Sequence, residues 1–292
     1  MSLKLFSPSK IVPWLNRQQF SESVALAVIA ILVGLTSGIG VWLFKQLFNV
    51  IYQYAFEGID TPLGLLHQKE IALRLFRDLA YWVGFDRIGT VLGYMGNWMI
   101  FFIPVIGGLA VGLISHFIIG KERYLGIAGI MESVALGGGR LPYRKIPIKT
   151  VAAALSIGSG ASVGPADPSV QIGAYLGSMF GQLLRFSDER IRALVASGAA
   201  GGIAAAFNAP ITGIFFALEI IIGELSVNAF GIVALAAVVS SVFTQAVSGH
   251  QPAFHMPAYA FNSIWELPLY FGLGVLSGLS AAFYIRLHHF TR

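Results

Sequence analysis

The middle of this sequence contains apolar segments that are too short to cross a lipid bilayer as straight helices, since a full transmembrane helix needs about 20 apolar residues. These segments run over residues 151–163, 169–184, 191–207 and 211–222. Glycine and proline interrupt the chain between them, at Gly158-Ser-Gly-Ala-Ser-Val-Gly-Pro165, Asp167-Pro168 and Asn208-Ala-Pro210. Short, broken helices of this kind are typical of transporter and channel cores, where helix ends meet around a site inside the membrane.

The composition decides between a membrane protein and a soluble one. Only 11% of the 292 residues are charged, 56% are hydrophobic, and the mean hydropathy is +0.74. An average soluble domain is about 25% charged, so too few polar side chains remain to cover a water-soluble surface. The absence of cysteine excludes a disulfide framework, a thiolate nucleophile and a cysteine-based metal site. The chain is therefore predicted to be an all-α polytopic membrane protein.

Longer apolar stretches flank the broken segments and are predicted to be ordinary spanning helices. They run over residues 24–51, 98–120, 231–247 and 267–287. Because lysine and arginine concentrate in cytoplasmic loops, the basic segment 1–21 predicts a cytoplasmic N-terminus. The basic stretch Lys121–Lys149 is predicted to be cytoplasmic for the same reason.

Two of these long stretches resemble each other. Ala30–Gly38 and Gly274–Ala282 both space small residues four apart around the pattern Leu-x-Gly-Leu-Ser/Thr, centred on Gly34 and Gly278. One explanation is an internal repeat of about 244 residues, as found in many transporters. Chance similarity between two glycine-rich helices is the alternative. If the repeat is real, its second copy has barely begun when the sequence ends.

Local patterns in the broken region have structural as well as functional explanations. Gly173, Gly177 and Gly181 put three small residues on one helix face, which predicts close helix packing and no ligand. Asp167 before Pro168 is predicted to cap the helix that follows. A helix N-terminus at this position could also bind an anion, and Asp167 would then compete with the anion for the backbone donors. Asn208 before Pro210 is a second predicted cap of the same type.

Several longer motifs are more specific. They are Met131–Leu136, Ser169-Val-Gln-Ile-Gly173, Gly198-Ala-Ala-Gly-Gly-Ile-Ala-Ala-Ala-Phe-Asn-Ala-Pro-Ile-Thr-Gly213, Phe216-Ala-Leu-Glu219, Phe254–Tyr259 and Trp265–Tyr270. Together they resemble the CLC family of chloride channels and proton-coupled chloride transporters, from about Ala25 to the last residue. The most specific part is the helix-start motif formed by Phe207, Asn208 and Pro210.

The resemblance implies a fold of two inverted repeats of tilted and broken helices, assembled as a homodimer with one pore in each subunit. Residues 22–292 would then be a CLC-like transmembrane domain, with the first repeat at about 22–250 and the first helix of the second repeat at about 265–292. In this family, backbone N–H groups at helix N-termini and hydroxyl groups hold chloride. The rest of the second repeat, which supplies part of that site, would come from a partner or a missing half.

One chloride-binding motif of the family reads Gly-(Ser/His)-Gly-(Ile/Val)-Pro. The matching stretch here is Tyr124-Leu-Gly-Ile-Ala128, so the resemblance places Leu125 and Gly126 on the anion pathway. Leu125 stands where a polar residue would face the ion. An apolar constriction at this position can gate by dewetting.

The second motif, Gly-(Arg/Lys)-Glu-Gly-Pro, corresponds to Gly164-Pro-Ala-Asp-Pro168. Ala166 therefore occupies the gating-glutamate position, with Gly164 and Asp167 beside it on the anion pathway. Ile220 stands where the exchangers carry their proton-accepting glutamate. Without carboxylates at positions 166 and 220 the family's proton path has no carriers, so proton coupling is not expected. Asp167 is a poor substitute because its side chain would leave the helix start in a different direction.

The favoured hypothesis is passive conduction of chloride or another small anion without proton coupling. The alternative is a CLC-like structural or accessory subunit of a larger membrane complex that transports nothing. The expected partners are the lipid bilayer, a small anion, and a homodimer or a larger membrane complex. Nucleic acid is not an expected partner, since the basic residues are scattered.

Enzymatic activity, a cofactor and a metal site are not expected. The sequence has no P-loop and no His-Glu-x-x-His motif, and no nucleophile–base pair stands out. Resemblance to bacterial members implies an integral protein of a bacterial plasma (inner) membrane.

Overall fold

A computed structural model of the chain describes residues 22–56, 99–120, 126–224, 227–249 and 263–290. The α- and π-helical elements in these ranges are α1 (Glu22–Phe56), α2 (Met99–Ile114, extended by a π-helical turn, Ser115–Ile119), α3 (Gly126–Leu136), α4 (Ile146–Gly158), α5 (Ala166–Leu183), α6 (Asp188–Phe207), α7 (Pro210–Phe216, extended by a π-helical segment, Ala217–Ile222), α8 (Val227–Ser248) and α9 (Glu266–Phe290). A short 3-10 turn, Tyr143–Lys145, precedes α4. No strand occurs in the described ranges, which confirms the all-α prediction. The predicted cytoplasmic segment 1–21 and Leu125 lie outside the described residues.

Helices α1, α2, α8 and α9 contain segments long and apolar enough to cross a membrane, as predicted. Helix α1 has 35 residues, which at 1.5 Å per residue gives a length of roughly 50 Å. The hydrocarbon core of a bilayer is only about 30 Å thick. A helix of this length therefore has to tilt or extend beyond the hydrocarbon.

The predicted short helices between these spans are also present. Helix α4 ends at Gly158 and α5 begins at Ala166, so the glycine-rich stretch between them is a break. The sequence-based prediction missed α3, because Lys121–Lys149 is basic in composition and was predicted to be cytoplasmic. Residues Gly129, Ile130, Ser133 and Val134 of α3 are buried.

Glycines bring α5 and α6 into backbone contact within the compact unit Met1–Ala253. A Cβ atom at Gly173 would overlap the carbonyl group of Gly198, and one at Gly177 would overlap the carbonyl group of Leu194. A Cβ at Gly181 would come within 2.8 Å of Ile191. The predicted packing role of this glycine stripe is confirmed.

Helix α6 is the central helix of this unit, and α1 and α8 pack on it. All residues from Leu194 to Ala206 are buried. On α8, the buried hydroxyl of Ser240 donates to the Gly201 carbonyl at 2.7 Å. Gly34 of α1 lies against the Ala236 backbone of α8, so the small residues of α1 also serve helix packing.

A half-buried lysine binds the C-terminal end of α6. Lys45 of α1 donates from Nζ to the carbonyl oxygens of Ala205 at 2.9 Å and Ala206 at 2.6 Å. The last carbonyls of a helix have no partner within the helix, and a cation at this end is also favoured by the helix dipole. Lys45 thus stabilises the helix end just before the break at Asn208, a role that the sequence did not predict.

A second unit, Phe254–Arg292, contains α9. This helix has 25 residues and carries Gly274 and Gly278 at the spacing that Gly34 and Gly38 have on α1. Its large apolar side chains, including Phe271 and Phe283, are exposed. The internal repeat and its boundaries remain a prediction.

The ion pair between Arg140 and Asp188 is expected to contribute little to stability. Arg140 donates from Nε and Nη2 to Asp188 Oδ1 at 3.0 and 2.8 Å, but both side chains are more than half exposed. Exposed ion pairs are worth about 0–1 kcal/mol. The variant Arg140→Gln should melt within a few degrees of the unmodified protein in detergent. A large drop in melting temperature would show that the ion pair contributes more to stability than its exposure suggests.

Candidate functional site

Two helix N-termini meet at the carboxylate of Asp167. The backbone N–H of Ile127, the second residue of α3, donates to Asp167 Oδ1 at 2.9 Å. Asp167 is itself the second residue of α5. Gly126 begins α3 with a φ of +62°, a backbone conformation that favours glycine.

The prediction that Asp167 caps its own helix was wrong. Helix α5 starts one residue earlier, and Pro165 at its N-cap position makes no side-chain hydrogen bond. Pro168 is tolerated in the first turn because its missing N–H would have no intrahelical partner. Asp167 therefore lies inside the helix and its carboxylate reaches the start of α3.

A glutamine of α5 engages the other oxygen of the same carboxylate. Gln171 Nε2 donates to Asp167 Oδ2 at 2.7 Å, one helical turn further along. The start of an α-helix favours negative charge because its first N–H groups are unpaired and its dipole is positive there. The Asp167 carboxylate thus occupies a place at the start of α3 that would suit a free anion.

Two neighbouring cavities lie next to the start of α5. The first, of about 210 Å³, is called the Lys149 cavity and is lined by Ser115, Ile119, Gly126, Ile146, Lys149, Thr150, Ala153, Pro168, Gln171 and Ile172. The second, of about 530 Å³, is called the Ala166 cavity and is lined by Val111, Ala152, Ala153, Ser156, Ile157, Val163, Gly164, Ala166, Asp167 and Pro168. Ala153 and Pro168 line both, so the two cavities are neighbours.

The structure brings together most of the residues that the resemblance assigned to the anion pathway. Gly126 lines the Lys149 cavity, and Gly164, Ala166 and Asp167 line the Ala166 cavity. The remaining member, Leu125, lies outside the described residues, so its gating role stays a prediction.

Ile220 and the helix-start motif lie elsewhere. Ile220 is half-buried and packs against the main apolar core, as does Phe207. Neither of them lines the two cavities, and nor do Asn208 and Pro210.

The predicted cap at Asn208 was also wrong. Asn208 ends α6 in the left-handed conformation, with φ 55° and ψ 38°, and Ala209 holds the N-cap position of α7. Its Oδ1 accepts a hydrogen bond from Ser241 on α8 at 3.3 Å. Asparagine tolerates the left-handed conformation better than most residues, which is why it ends one helix here and does not begin the next. Pro210 is the first residue of α7, as the proline pattern predicted.

The sequence-based prediction missed Gln171 and Lys149. Gln171 follows Asp167 by four positions, a spacing at which helical side chains meet, so this pair was available as a signal. Lys149 was counted only as part of a basic stretch. Its Nζ donates to the hydroxyl of the buried Tyr175 at 3.0 Å, a contact with no local sequence signal.

Broken helices whose N-termini meet next to two cavities, together with long apolar helices, define an integral membrane protein of the channel and transporter class. Residues 107–292 match the protein family described as voltage gated chloride channel. The chain belongs to this CLC family.

Several curated relatives have sequences similar to this one. A putative chloride channel protein ClcB-like from Ralstonia nicotianae is 34% identical over 210 residues, covering 70% of this chain and 49% of the relative. Chloride channel protein CLC-e from Arabidopsis thaliana is 34% identical over 271 residues, covering 90% of this chain and 34% of the relative. An H⁺/Cl⁻ exchange transporter ClcA from Vibrio vulnificus is 27% identical, covering 91% and 52%. The chain thus spans about half the length of these relatives, or less.

A solved structure of a slow cyanobacterial Cl⁻/H⁺ antiporter has the same fold. It superposes with a TM-score of 0.65 at 24% identity, covering 87% of this chain and 54% of that one. This match supports the predicted CLC-like arrangement of helices and bears on the fold alone.

Proposed function

We propose that the chain, as the first repeat of the fold, forms one side of an anion pathway. This pathway conducts chloride or another small anion passively, without proton coupling. The single observation that carries this proposal is the meeting of α3 and α5 at Asp167, next to two neighbouring cavities. The second repeat, whether it belongs to the same polypeptide or to a partner, would supply the opposite wall. Dimeric assembly in a bacterial inner membrane, with a cytoplasmic N-terminus, completes the proposal.

The lack of proton coupling rests on two apolar side chains. Ala166 lines the cavity at the gating position, and Ile220 packs in the core at the proton position. Neither side chain can carry a proton. Among the described residues that line the two cavities, only Asp167 carries a carboxylate. In this proposal it blocks the pathway and moves aside to let an anion pass.

Reconstitution tests the proposal directly. The protein, with any polypeptides that co-purify, is placed in chloride-loaded liposomes, and a potassium ionophore removes the electrical limit on flux. A chloride electrode and a pH electrode follow the outside solution together. Chloride should leave while the pH stays constant. Proton movement in fixed ratio to chloride would overturn the uncoupled mechanism. An absence of chloride flux would overturn conduction and favour the accessory-subunit hypothesis.

The variant Asp167→Ala is expected to raise the chloride efflux rate severalfold. It removes a carboxylate that competes with the anion for the start of α3. Asp188→Ala is the matched control, because Asp188 also lies in the first turn of a helix but its side chain is 57% exposed. Efflux from the control should equal that of the unmodified protein. A lower rate for Asp167→Ala than for the control would contradict the blocking role.

A further inference from the structure

Two loops lie together at the C-terminal end of α5, one between α3 and α4 and one between α5 and α6. In the first loop, the Leu141 N–H donates to the buried Ser178 hydroxyl of α5 at 2.8 Å. Gln182, one turn further along α5, donates to the Leu141 carbonyl at 2.9 Å. Arg140 of the same loop pairs with Asp188 at the start of α6. The two loops therefore form one surface.

This surface lies at the level of the lipid headgroups. On α5, Asp167 and Leu183 are 16 positions apart, which corresponds to roughly 24 Å at 1.5 Å per residue. The hydrocarbon core of a bilayer is about 30 Å thick, and broken helices of transporters begin near its midplane. A helix that starts there therefore reaches the headgroups within its last turns.

The two loops and the start of α6 carry an excess of positive charge. Residues 137–145 and 184–192, all of which the structure describes, include six basic and two acidic residues. The acidic residues are Glu189 and Asp188, and Asp188 is paired with Arg140. Four of the basic side chains are exposed and are called the arginine surface, namely Arg140, Arg144, Arg185 and Arg192.

Exposed leucines end the two helices that lead into these loops. Leu136 ends α3 and is 77% exposed, and Leu183 ends α5 and is 49% exposed. Arginine beside apolar surface keeps its charged end in the polar layer, and its guanidinium group binds phosphate oxygens with two parallel hydrogen bonds. Apolar contacts next to guanidinium groups match a phospholipid, which carries acyl chains next to a phosphate.

Arg185 has a backbone conformation that is unfavourable for arginine. Its φ is 55°, and Asn208 is the only other non-glycine residue with positive φ in the described part of the chain. The Phe186 N–H donates to the Gly181 carbonyl at 3.0 Å, a helix ending that usually places glycine at the position of Arg185. Unfavourable conformations of this kind occur preferentially at functional sites.

We propose that the arginine surface binds the phosphate headgroup of an anionic phospholipid, with Arg185 as a contact residue. A zwitterionic lipid is disfavoured because it carries a cation beside its phosphate. The cytoplasmic leaflet is the anionic one, and the first loop belongs to the stretch Lys121–Lys149, which is predicted to be cytoplasmic. The inference is independent of whether the chain conducts an anion.

Lipid-dependent thermal stability tests the inference. The purified protein, with any polypeptides that co-purify, is melted in neutral detergent with rising mole fractions of dioleoyl-phosphatidylglycerol. Dioleoyl-phosphatidylcholine, which has the same acyl chains, and inorganic phosphate are the comparison ligands. A ligand that binds only the folded state raises the melting temperature. Phosphatidylglycerol should give a saturable rise, and the two comparison ligands should give little or none.

The variant Arg185→Gly separates lipid binding from folding. Without lipid it should melt at a higher temperature than the unmodified protein, because glycine adopts a positive φ without steric cost. The fraction of phosphatidylglycerol at half-effect should rise by about fivefold, the effect of one basic residue near an anionic surface. Arg286→Gln is the matched control, since Arg286 is an exposed arginine of α9. It should leave the half-effect fraction unchanged.

Three results would overturn the inference. An equal rise with phosphatidylcholine or inorganic phosphate would show that the protein does not select an anionic lipid. An unchanged half-effect fraction for Arg185→Gly, or an equal shift for Arg286→Gln, would show that the arginine surface is not the binding site. A lower melting temperature of Arg185→Gly without lipid would show that the arginine serves folding.

Discussion

Replacing Gly173 by valine is expected to prevent stable assembly of the helix bundle. A Cβ at this position would overlap the carbonyl group of Gly198 on α6, and both partners are backbone atoms that cannot move without separating α5 from α6. Overpacking a close-packed core costs about 1–3 kcal/mol even where side chains can rearrange, and here they cannot. The yield of monodisperse protein in detergent should fall to a small fraction of the normal value. The remaining protein should melt at a lower temperature.

Gly108→Val is the matched control for this experiment. Gly108 is also a glycine of an apolar helix, but among the described residues a Cβ there would have no atom of another part of the chain within 4 Å. Its yield and melting temperature should stay close to those of the unmodified protein. Equal behaviour of Gly173→Val and Gly108→Val would show that α5 and α6 do not pack backbone to backbone. The consequence for function is direct, because α5 carries Asp167 and Gln171.

Lys45→Met is expected to destabilise the protein strongly. It leaves the carbonyl groups of Ala205 and Ala206 without the ammonium group that they bond, at the end of a helix that is buried almost throughout. A buried polar group without a partner costs roughly 1–3 kcal/mol. The melting temperature in detergent should drop by several degrees or more. Protease cleavage near the break at Asn208 should become faster.

Two further variants separate the hydrogen bonds of Lys45 from its bulk. Lys45→Arg keeps the charge and the donors on a different frame, so an intermediate melting temperature is expected. Gln46→Met introduces the same side chain at the next, half-buried residue of α1 and should have a small effect. If Lys45→Met melts like Gln46→Met, the lysine does not stabilise the end of α6.

The sequence predicted the helices that composition and glycine or proline breaks define. It missed α3 because this helix is an apolar stretch of only 11 residues with basic residues on both sides. It also assigned Asp167 and Asn208 to the caps of the helices that follow them, since cap preferences are local. In the fold, each of these side chains bonds a residue of another helix, Ile127 for Asp167 and Ser241 for Asn208.

The sequence by itself determined that this is a membrane protein with broken helices, a glycine-packed core and CLC motifs. Each of those properties depends on composition or on short-range spacing, which a chain displays before it folds. Only the tertiary structure decided what the polar side chains do. Asp167 meets a donor 40 residues away, and Lys45 meets acceptors 160 and 161 residues away. Such partners are fixed by how the helices pack, so only the folded bundle brings Asp167 to the start of α3 and Lys45 to the end of α6.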